Sequence, residues 1–176
     1  MILMLAAELE AGEVKSSDIG WFRKTFCELS WDEVKISVES PRDICRRVKG
    51  QVEYKVDSED NMKTGIKTWE DKTGDCEDFA NCVVELCQAN GFEAWVEIYY
   101  EANNSSAHAV AMGKYNGRLW ISSNGDFQFV KDTDDARRKI ARTLGWSSRQ
   151  VCHDSYLEFV KSMDLAIAAE KSDSIP

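Results

Sequence analysis

Two of the three Asn-Gly dipeptides, those in the second half of the chain, constrain its fold more than any other feature of its sequence. Asn116-Gly117 lies between two short segments with strong apolar content, Ala107–Tyr115 and Arg118–Ser123. Asn and Gly readily adopt the positive φ angles that a two-residue hairpin turn requires. The dipeptide therefore predicts an antiparallel hairpin, and Asn124-Gly125 predicts a second turn that leads into a strand over Phe127–Val130.

Helices are predicted on both sides of this sheet. The alternating segment Phe92–Tyr100 adds a strand before the hairpin. Helical spacing and capping residues predict helices after Ser17-Asp18, after Ser40-Pro41, from Cys76 to Asn90-Gly91, over Thr133–Leu144 and over Ser155–Glu170. Helices, then an antiparallel sheet, then helices make an α+β fold rather than a doubly wound one.

Length and charge limit the classes of function. The chain has 176 residues, 43% of them hydrophobic, which suits one domain over residues 1–170 followed by a polar tail at 171–176. Its net charge of −9 argues against nucleic-acid binding, which needs clustered Lys and Arg. No nucleic-acid partner is expected, and the sequence leaves the oligomeric state open.

The N-terminus and the cysteines indicate a reduced, cytoplasmic protein. The apolar run at residues 1–7 is too short for a membrane span and lacks a preceding Lys or Arg, so neither a signal peptide nor a membrane contact is predicted. The six Cys include no C-x-x-C pair and have no zinc-finger spacing. Most of them are expected to be small core residues.

Cys76 is the exception, because it is predicted at the N-terminus of a central helix. There the helix dipole and the free N–H groups of the first turn stabilise a thiolate, and the Cys N–H can help to bind an oxyanion. Thiol catalysis also needs a His that accepts and returns the proton, and a polar group that orients the His. The alternative is that Cys76 is another buried structural thiol.

His108 and Asn124 are candidates for these two roles. The hairpin at Asn116-Gly117 brings the start of one strand beside the end of the next, so Asn124 falls within one residue of the position opposite His108. Each residue also has a structural explanation, since an Asn-Gly pair suits a turn and a single His on a strand is often structural. His153 is a weaker candidate base, expected only at the entry to the last helix.

At these residues the sequence resembles the transglutaminase-like superfamily, and within it the bacterial transglutaminase-like cysteine proteases. The stretch Gly74–Ala80 is similar to the nucleophile motif of that group, and Ala107–Val110 is similar to its histidine strand. Leu119-Trp120 with Asn124 resembles the strand and turn that carry the third triad residue, and the preceding helix, expected to end in Tyr54 and followed by Asp57, also fits. The resemblance covers about residues 40–130.

The resemblance implies a papain-like core in which a Cys-bearing helix packs on an antiparallel sheet, with flanking helices. It implies acyl transfer through a thioester and no required cofactor. In the family, acids beside the Cys can bind calcium, which would place a calcium site at Asp75, Glu77 and Asp78; the alternative is favourable charge at a helix N-terminus. The third triad residue is usually Asp, whereas this chain has Asn124, with Asp126 as the substitute candidate.

The sequence therefore predicts a thiol-dependent acyl-transfer enzyme, a cysteine peptidase, amidase or transglutaminase-like protein. Cys76 would attack a peptide or glutamine amide in a protein or peptide substrate, with His108 as base and Asn124 as the orienting residue. The alternative is a non-catalytic binding or assembly module that keeps the motif as scaffold. The intact Cys76 and His108 favour the enzyme, and the unusual Asn favours the module.

Overall fold

The computed structural model describes residues 28–56, 62–101 and 106–155. The helix predicted after Ser17-Asp18, nearly all of the helix predicted over Ser155–Glu170, and the polar tail lie outside the described residues. In chain order the elements are α1 (Trp31–Ser37), α2 (Pro41–Gln51), β1 (Glu53–Tyr54), α3 (Gly65–Asp71), β2 (Thr73–Gly74), α4 (Cys76–Ala89), β3 (Glu93–Glu101), β4 (Ala107–Tyr115), β5 (Arg118–Ser123), β6 (Asp126–Val130), α5 (Thr133–Leu144) and β7 (Val151–Ser155).

The chain divides into two compact units, residues 1–37 and 38–176. The first contains α1, which begins with a capping box: the Glu33 N–H donates to Ser30 Oγ, and the Ser30 N–H donates to the Glu33 carboxylate. The second unit contains all the other described elements. The extent of a single domain over residues 1–170 stays a prediction.

A five-stranded antiparallel sheet in the order β6-β5-β4-β3-β7 forms the centre of the second unit. The Asn116-Gly117 turn joins β4 to β5, with Tyr115 paired to Arg118 and Ala111 paired to Ser122. The predicted hairpin and its register are thereby confirmed. The strand β7 was not predicted, because its short sequence Val151–Ser155 gives little alternation and was assigned to the entry of a helix.

The two faces of β4 and β5 pack against different elements. Val110, Met112 and Ile121 share one face and pack in a buried cluster with Ala136 and Ile140 of α5. The alternate residues of β4, which are Ala109, Ala111 and Gly113, point to the opposite face. These residues are small, and α4 contacts β4. Gly113 is required by its neighbours in the sheet, since a Cβ there would lie only 2.2 Å from the Glu93 carbonyl oxygen of β3.

The helix α4 is the most buried helix of this unit. Its interior residues Cys82, Val83, Leu86 and Cys87 are fully or almost fully buried, as their helical spacing predicts. It contacts β3 and β4 along with α2 and α3. The fold is therefore α+β, with a Cys-bearing helix packed on an antiparallel sheet, as predicted. No helix within the described ranges is both long and apolar enough to cross a membrane.

Candidate active site

Cys76 is the first residue of α4, and the local sequence explains why the helix begins there. The Asp75 side chain caps the helix, because its Oδ1 accepts hydrogen bonds from the N–H groups of Glu77 at 3.1 Å and Asp78 at 3.4 Å. Gly74 is needed before the cap, since a Cβ there would lie 2.6 Å from the Asp78 Cβ. The chain therefore turns tightly into the helix and leaves the Cys76 thiol half-buried at its end.

The thiol of Cys76 lies at the start of β4. It accepts a hydrogen bond from the backbone N–H of Ala109, the residue that follows His108. Cys76 therefore lies next to the residue that follows His108 on β4. By strand alternation, the His108 side chain lies on the face of Val110 and Met112, opposite to Ala109. Among the hydrogen bonds of the described residues, none joins the thiol directly to the His108 ring.

The pKa of the Cys76 thiol is raised, which differs from the expectation based on the helix dipole. Burial is the largest cause, and the nearby carboxylates of Asp75 and Glu77 also raise this pKa. The hydrogen bond from the Ala109 N–H lowers it, but not enough to compensate. Desolvation thus outweighs the favourable helix terminus, and the resting state of Cys76 is the neutral thiol.

His108 is 6% exposed, and its Nε2 lies 2.9 Å from Ser123 Oγ in the one hydrogen bond that its side chain makes within the described residues; the tautomer decides which of the two donates. Burial lowers the pKa of His108 from 6.5 to about 4, because the charged imidazolium loses its contact with water. The His is therefore neutral at neutral pH, like the thiol. Ser123 is the polar partner that the sequence analysis missed.

The alternation of side chains explains why Ser123, rather than Asn124, contacts the His108 ring. With Ala111 paired to Ser122, the register places the odd-numbered residues of β5 on the face that carries His108. Asn124 belongs to the other parity and adopts φ 47° in the turn. Its Oδ1 is buried and has no hydrogen-bond partner among the described residues.

The other candidate residues have different partners. Asp126 forms an exposed ion pair with Lys49 of α2. His153 lies on β7, where its Nδ1 is 2.8 Å from Glu97 Oε1, and β3 separates it from β4. Neither residue therefore contacts His108.

The three acids proposed as calcium ligands do not converge on one point. Asp75 is the helix cap, while Asp78 is completely buried and accepts hydrogen bonds from both the backbone N–H and the Nζ of Lys63, at 2.7 and 2.8 Å. In the part of the chain that the structure describes, no group of three His, Cys, Asp or Glu side chains could hold a metal ion. These residues as arranged do not fit calcium.

Tyr54 is a further residue of the site. It lies in β1, beside Gly74 of β2, and its phenol is close enough to Cys76 and Asp75 that both raise its pKa, after burial as the main cause. The resemblance singled out Tyr54 by position, but gave no reason for it. The short parallel pairing of β1 with β2 supplies that reason, because it carries Tyr54 to the entrance of α4.

Comparisons with known proteins agree with this architecture. The Transglutaminase-like superfamily matches residues 30–124, more than half of the chain. A search of curated proteins found no significant match.

The solved structures found by similarity include two of LapG from Legionella pneumophila. The calcium-bound form is 17% identical, covers 68% of this chain and 78% of its own, and has a TM-score of 0.46. The EGTA-treated form is 21% identical, covers 69% and 77%, and has a TM-score of 0.44. A proposed cysteine protease from Cytophaga hutchinsonii is 20% identical, covers 64% and 38%, and has a TM-score of 0.41. With the family match over residues 30–124, the chain belongs to the transglutaminase-like superfamily.

Proposed function

We propose that this protein catalyses thiol-dependent acyl transfer on a peptide bond or a glutamine amide, with Cys76 as the nucleophile. His108 acts as the base, and Ser123 takes the orienting role that the sequence assigned to Asn124. One observation carries the proposal: a half-buried thiol at a capped helix N-terminus lies beside the strand whose buried His is held by a hydrogen bond at Nε2.

The tautomer of His108 decides which of its nitrogens can act as the base. When Nε2–H donates to Ser123 Oγ, the neutral ring carries its lone pair on Nδ1. Nδ1 can then accept the thiol proton while the Cys76 sulfur attacks the substrate carbonyl carbon. A hydroxyl can also donate a hydrogen bond, so Ser123 holds this tautomer less firmly than a carboxylate would.

The remaining steps return the enzyme to its starting state. The C–N bond of the tetrahedral intermediate breaks, the His108 proton passes to the leaving amine, and a thioester remains on Cys76. Water or a second amine then attacks the thioester carbonyl, His108 accepts the proton of this nucleophile, and the thiol is released. The choice between water and amine separates hydrolysis from cross-linking.

The backbone N–H of Cys76 is well placed to stabilise the tetrahedral intermediate. The Asp75 cap accepts the N–H groups of Glu77 and Asp78, whereas the Cys76 N–H is directed at its own thiol, at the place where the oxyanion would form. A donor at the end of a buried helix is favourable to a developing oxyanion and is worth about 3 kcal/mol in known enzymes.

The proposal includes no calcium-dependent step. LapG is described in a calcium-bound form, and the same ion was predicted for this chain at Asp75, Glu77 and Asp78. Calcium binding by Asp78 would require this buried carboxylate to leave Lys63. Such an exchange would break the hydrogen bonds and the ion pair that the buried Asp78 makes with Lys63, which is costly.

A non-catalytic binding module is the second candidate, and the charge state of the site favours it. Burial raises the pKa of Cys76 and lowers that of His108, so the thiolate–imidazolium pair typical of thiol enzymes is disfavoured in the free protein. A module of this kind would keep the same fold and a thiol that does not turn over. The two candidates differ in whether an acyl group transfers to Cys76 with the help of His108.

Acylation by p-nitrophenyl acetate distinguishes these candidates. We expect an acetyl group on Cys76, detected by mass spectrometry of peptides, and an acylation rate at least tenfold lower in His108→Gln. The exposed Cys152 is the expected site of background reaction, so both proteins should also carry Cys152→Ser. If Cys76 stays unmodified, or if His108→Gln reacts at the same rate, the enzyme proposal is wrong and the module is favoured.

A further inference from the structure

Three large apolar side chains of the described residues are exposed, and two of them lie on one short segment beside Cys76. Tyr54 is 48% exposed and Val56 is 71% exposed, while Ile66 on α3 is 42% exposed. Neighbouring exposed apolar side chains beside a functional site are typical of surfaces that contact a ligand. The segment that carries Tyr54 and Val56 is therefore a candidate substrate surface.

The pairing of β1 with β2 fixes the position of this segment relative to the thiol. Tyr54 is paired with Gly74, and the Lys55 N–H donates to the Gly74 carbonyl oxygen at 2.9 Å. Because the two strands are parallel, the chain runs from Tyr54 towards Val56 in the direction in which β2 runs from Gly74 to Cys76. The Tyr54 ring centroid lies 6.4 Å from that of Phe79, one helical turn after Cys76 on the same side of α4.

Among the described residues, the edge of β1 that faces away from β2 pairs with no other strand, and we call it the free edge of this segment. The N–H groups of Glu53 and Lys55 bond to carbonyl groups of residues 72 and 74. By alternation the N–H and C=O of Tyr54 point away from β2, and they have no backbone partner in the described ranges. An extended peptide can therefore pair with Tyr54, as strands add to exposed sheet edges.

The negative charge near Cys76 limits the side chains that such a peptide can carry. Asp75 and Glu77 are close enough to the Cys76 thiol to raise its pKa, so their negative charge extends over the reacting carbonyl. An acidic side chain beside the acyl group is disfavoured by repulsion. An apolar side chain, in contrast, gains by covering Tyr54 and Val56, at about 25 cal/mol per Å² of buried apolar area.

We propose that Tyr54 and Val56 form a subsite that selects substrates with an apolar or aromatic residue beside the acyl group that Cys76 attacks. The peptide would bind extended along the free edge of β1, with its side chain against these two residues. The inference rests on the proposed function of Cys76 and adds to it the class of substrate.

Paired peptidyl chloromethyl ketones test this inference, one with Phe and one with Asp beside the reactive group. In each reaction the Cys76 sulfur forms a bond to the methylene carbon, chloride leaves, and the thiol proton is released. Each rate is divided by the rate at which iodoacetamide alkylates Cys76 in the same variant. We expect the Phe reagent to react at least tenfold faster than the Asp reagent.

Val56→Gln and Tyr54→Ala should each lower this preference at least threefold. Lys55→Gln is the matched control, because its side chain points to the other side of the extended segment, and it should keep the preference. If iodoacetamide alkylates Cys76 but the preference is absent or survives both subsite variants, the subsite is wrong and the proposed function stands. If Cys76 reacts with none of the reagents, both the proposed function and the subsite are wrong.

Discussion

Replacing Ser123 with Asp should turn the neutral pair into a more reactive one. The Ser123 hydroxyl is 2.9 Å from His108 Nε2, so an Asp carboxylate at this position lies within hydrogen-bonding distance of the same nitrogen. An opposite charge at this distance stabilises the imidazolium and typically raises a His pKa by about 1 to 3 units. Ser123 is half-buried, which leaves the new carboxylate some contact with solvent.

The size of the effect follows from the present pKa of His108. Burial lowers that pKa to about 4, so an increase of about 2 units brings it close to 6. Each unit corresponds to about 1.4 kcal/mol, which gives about 3 kcal/mol in favour of the protonated ring. A more basic His is also a stronger proton acceptor, and the rate of Cys76 acylation at pH 7 should rise at least tenfold.

NMR titration of the His108 ring in Ser123→Asp measures the pKa, and the acetylation assay measures the rate. Ser123→Asn is the matched control, since it is similar in size to Asp but neutral, and it should leave the His108 pKa below 5. If Ser123→Asp does not raise the pKa, or raises it without increasing the rate, then Ser123 does not orient a catalytic base.

Three further predictions concern stability and metal binding. The folded protein holds His108 at a pKa of about 4, below its unfolded value of 6.5, so the unfolded state binds more protons between these pH values. The free energy of unfolding, measured by denaturant titration, should therefore fall by up to about 3 kcal/mol from pH 6.5 to pH 4. The variant His108→Gln should not show this fall. Asp78→Asn should lower the free energy of unfolding by about 2 to 3 kcal/mol, because the mostly buried Lys63 loses its counter-charge, whereas Asp126→Asn in an exposed pair should cost less than about 0.5 kcal/mol. Thermal melting in millimolar calcium should match melting in chelator; a calcium-dependent rise that Asp75→Asn abolishes would restore the calcium site.

The parts of the fold that were predicted from sequence are those with strong local signals. Ser40 and Pro41 begin α2 as expected, since Ser40 accepts the Asp43 N–H and Pro41 occupies the first helical position. Gly145 ends α5 in the left-handed conformation. The elements that were missed, β1, β2 and β7, are short and depend on partners distant in sequence. Their own residues give no period long enough to recognise.

Asn124 was predicted as the orienting residue from the correct register of the hairpin, but without considering which face of the sheet its side chain lies on. Asn124 was chosen because it lies nearly opposite His108 in sequence numbering. In a strand, however, neighbouring residues point to opposite faces of the sheet. A shift of one residue therefore moves the side chain to the other face, whereas a shift of two residues keeps it on the same face. Ser123 lies two residues from the position opposite His108 and on the same face, and it is the residue that bonds to the ring. The register alone therefore contained the information needed to select Ser123.

The protonation state of the site could not be predicted from the sequence, because it depends on how deeply several elements together bury Cys76 and His108. The position of Cys76 at the start of α4 is a local property and favours a thiolate. The opposing effect comes from tertiary packing, which removes both Cys76 and His108 from water. Since a substrate peptide over Tyr54 would remove still more water, it cannot create the ion pair by itself. Proton transfer must then accompany the attack on the carbonyl, and the reaction should depend on the basicity of His108 more strongly than in an enzyme with a preformed thiolate.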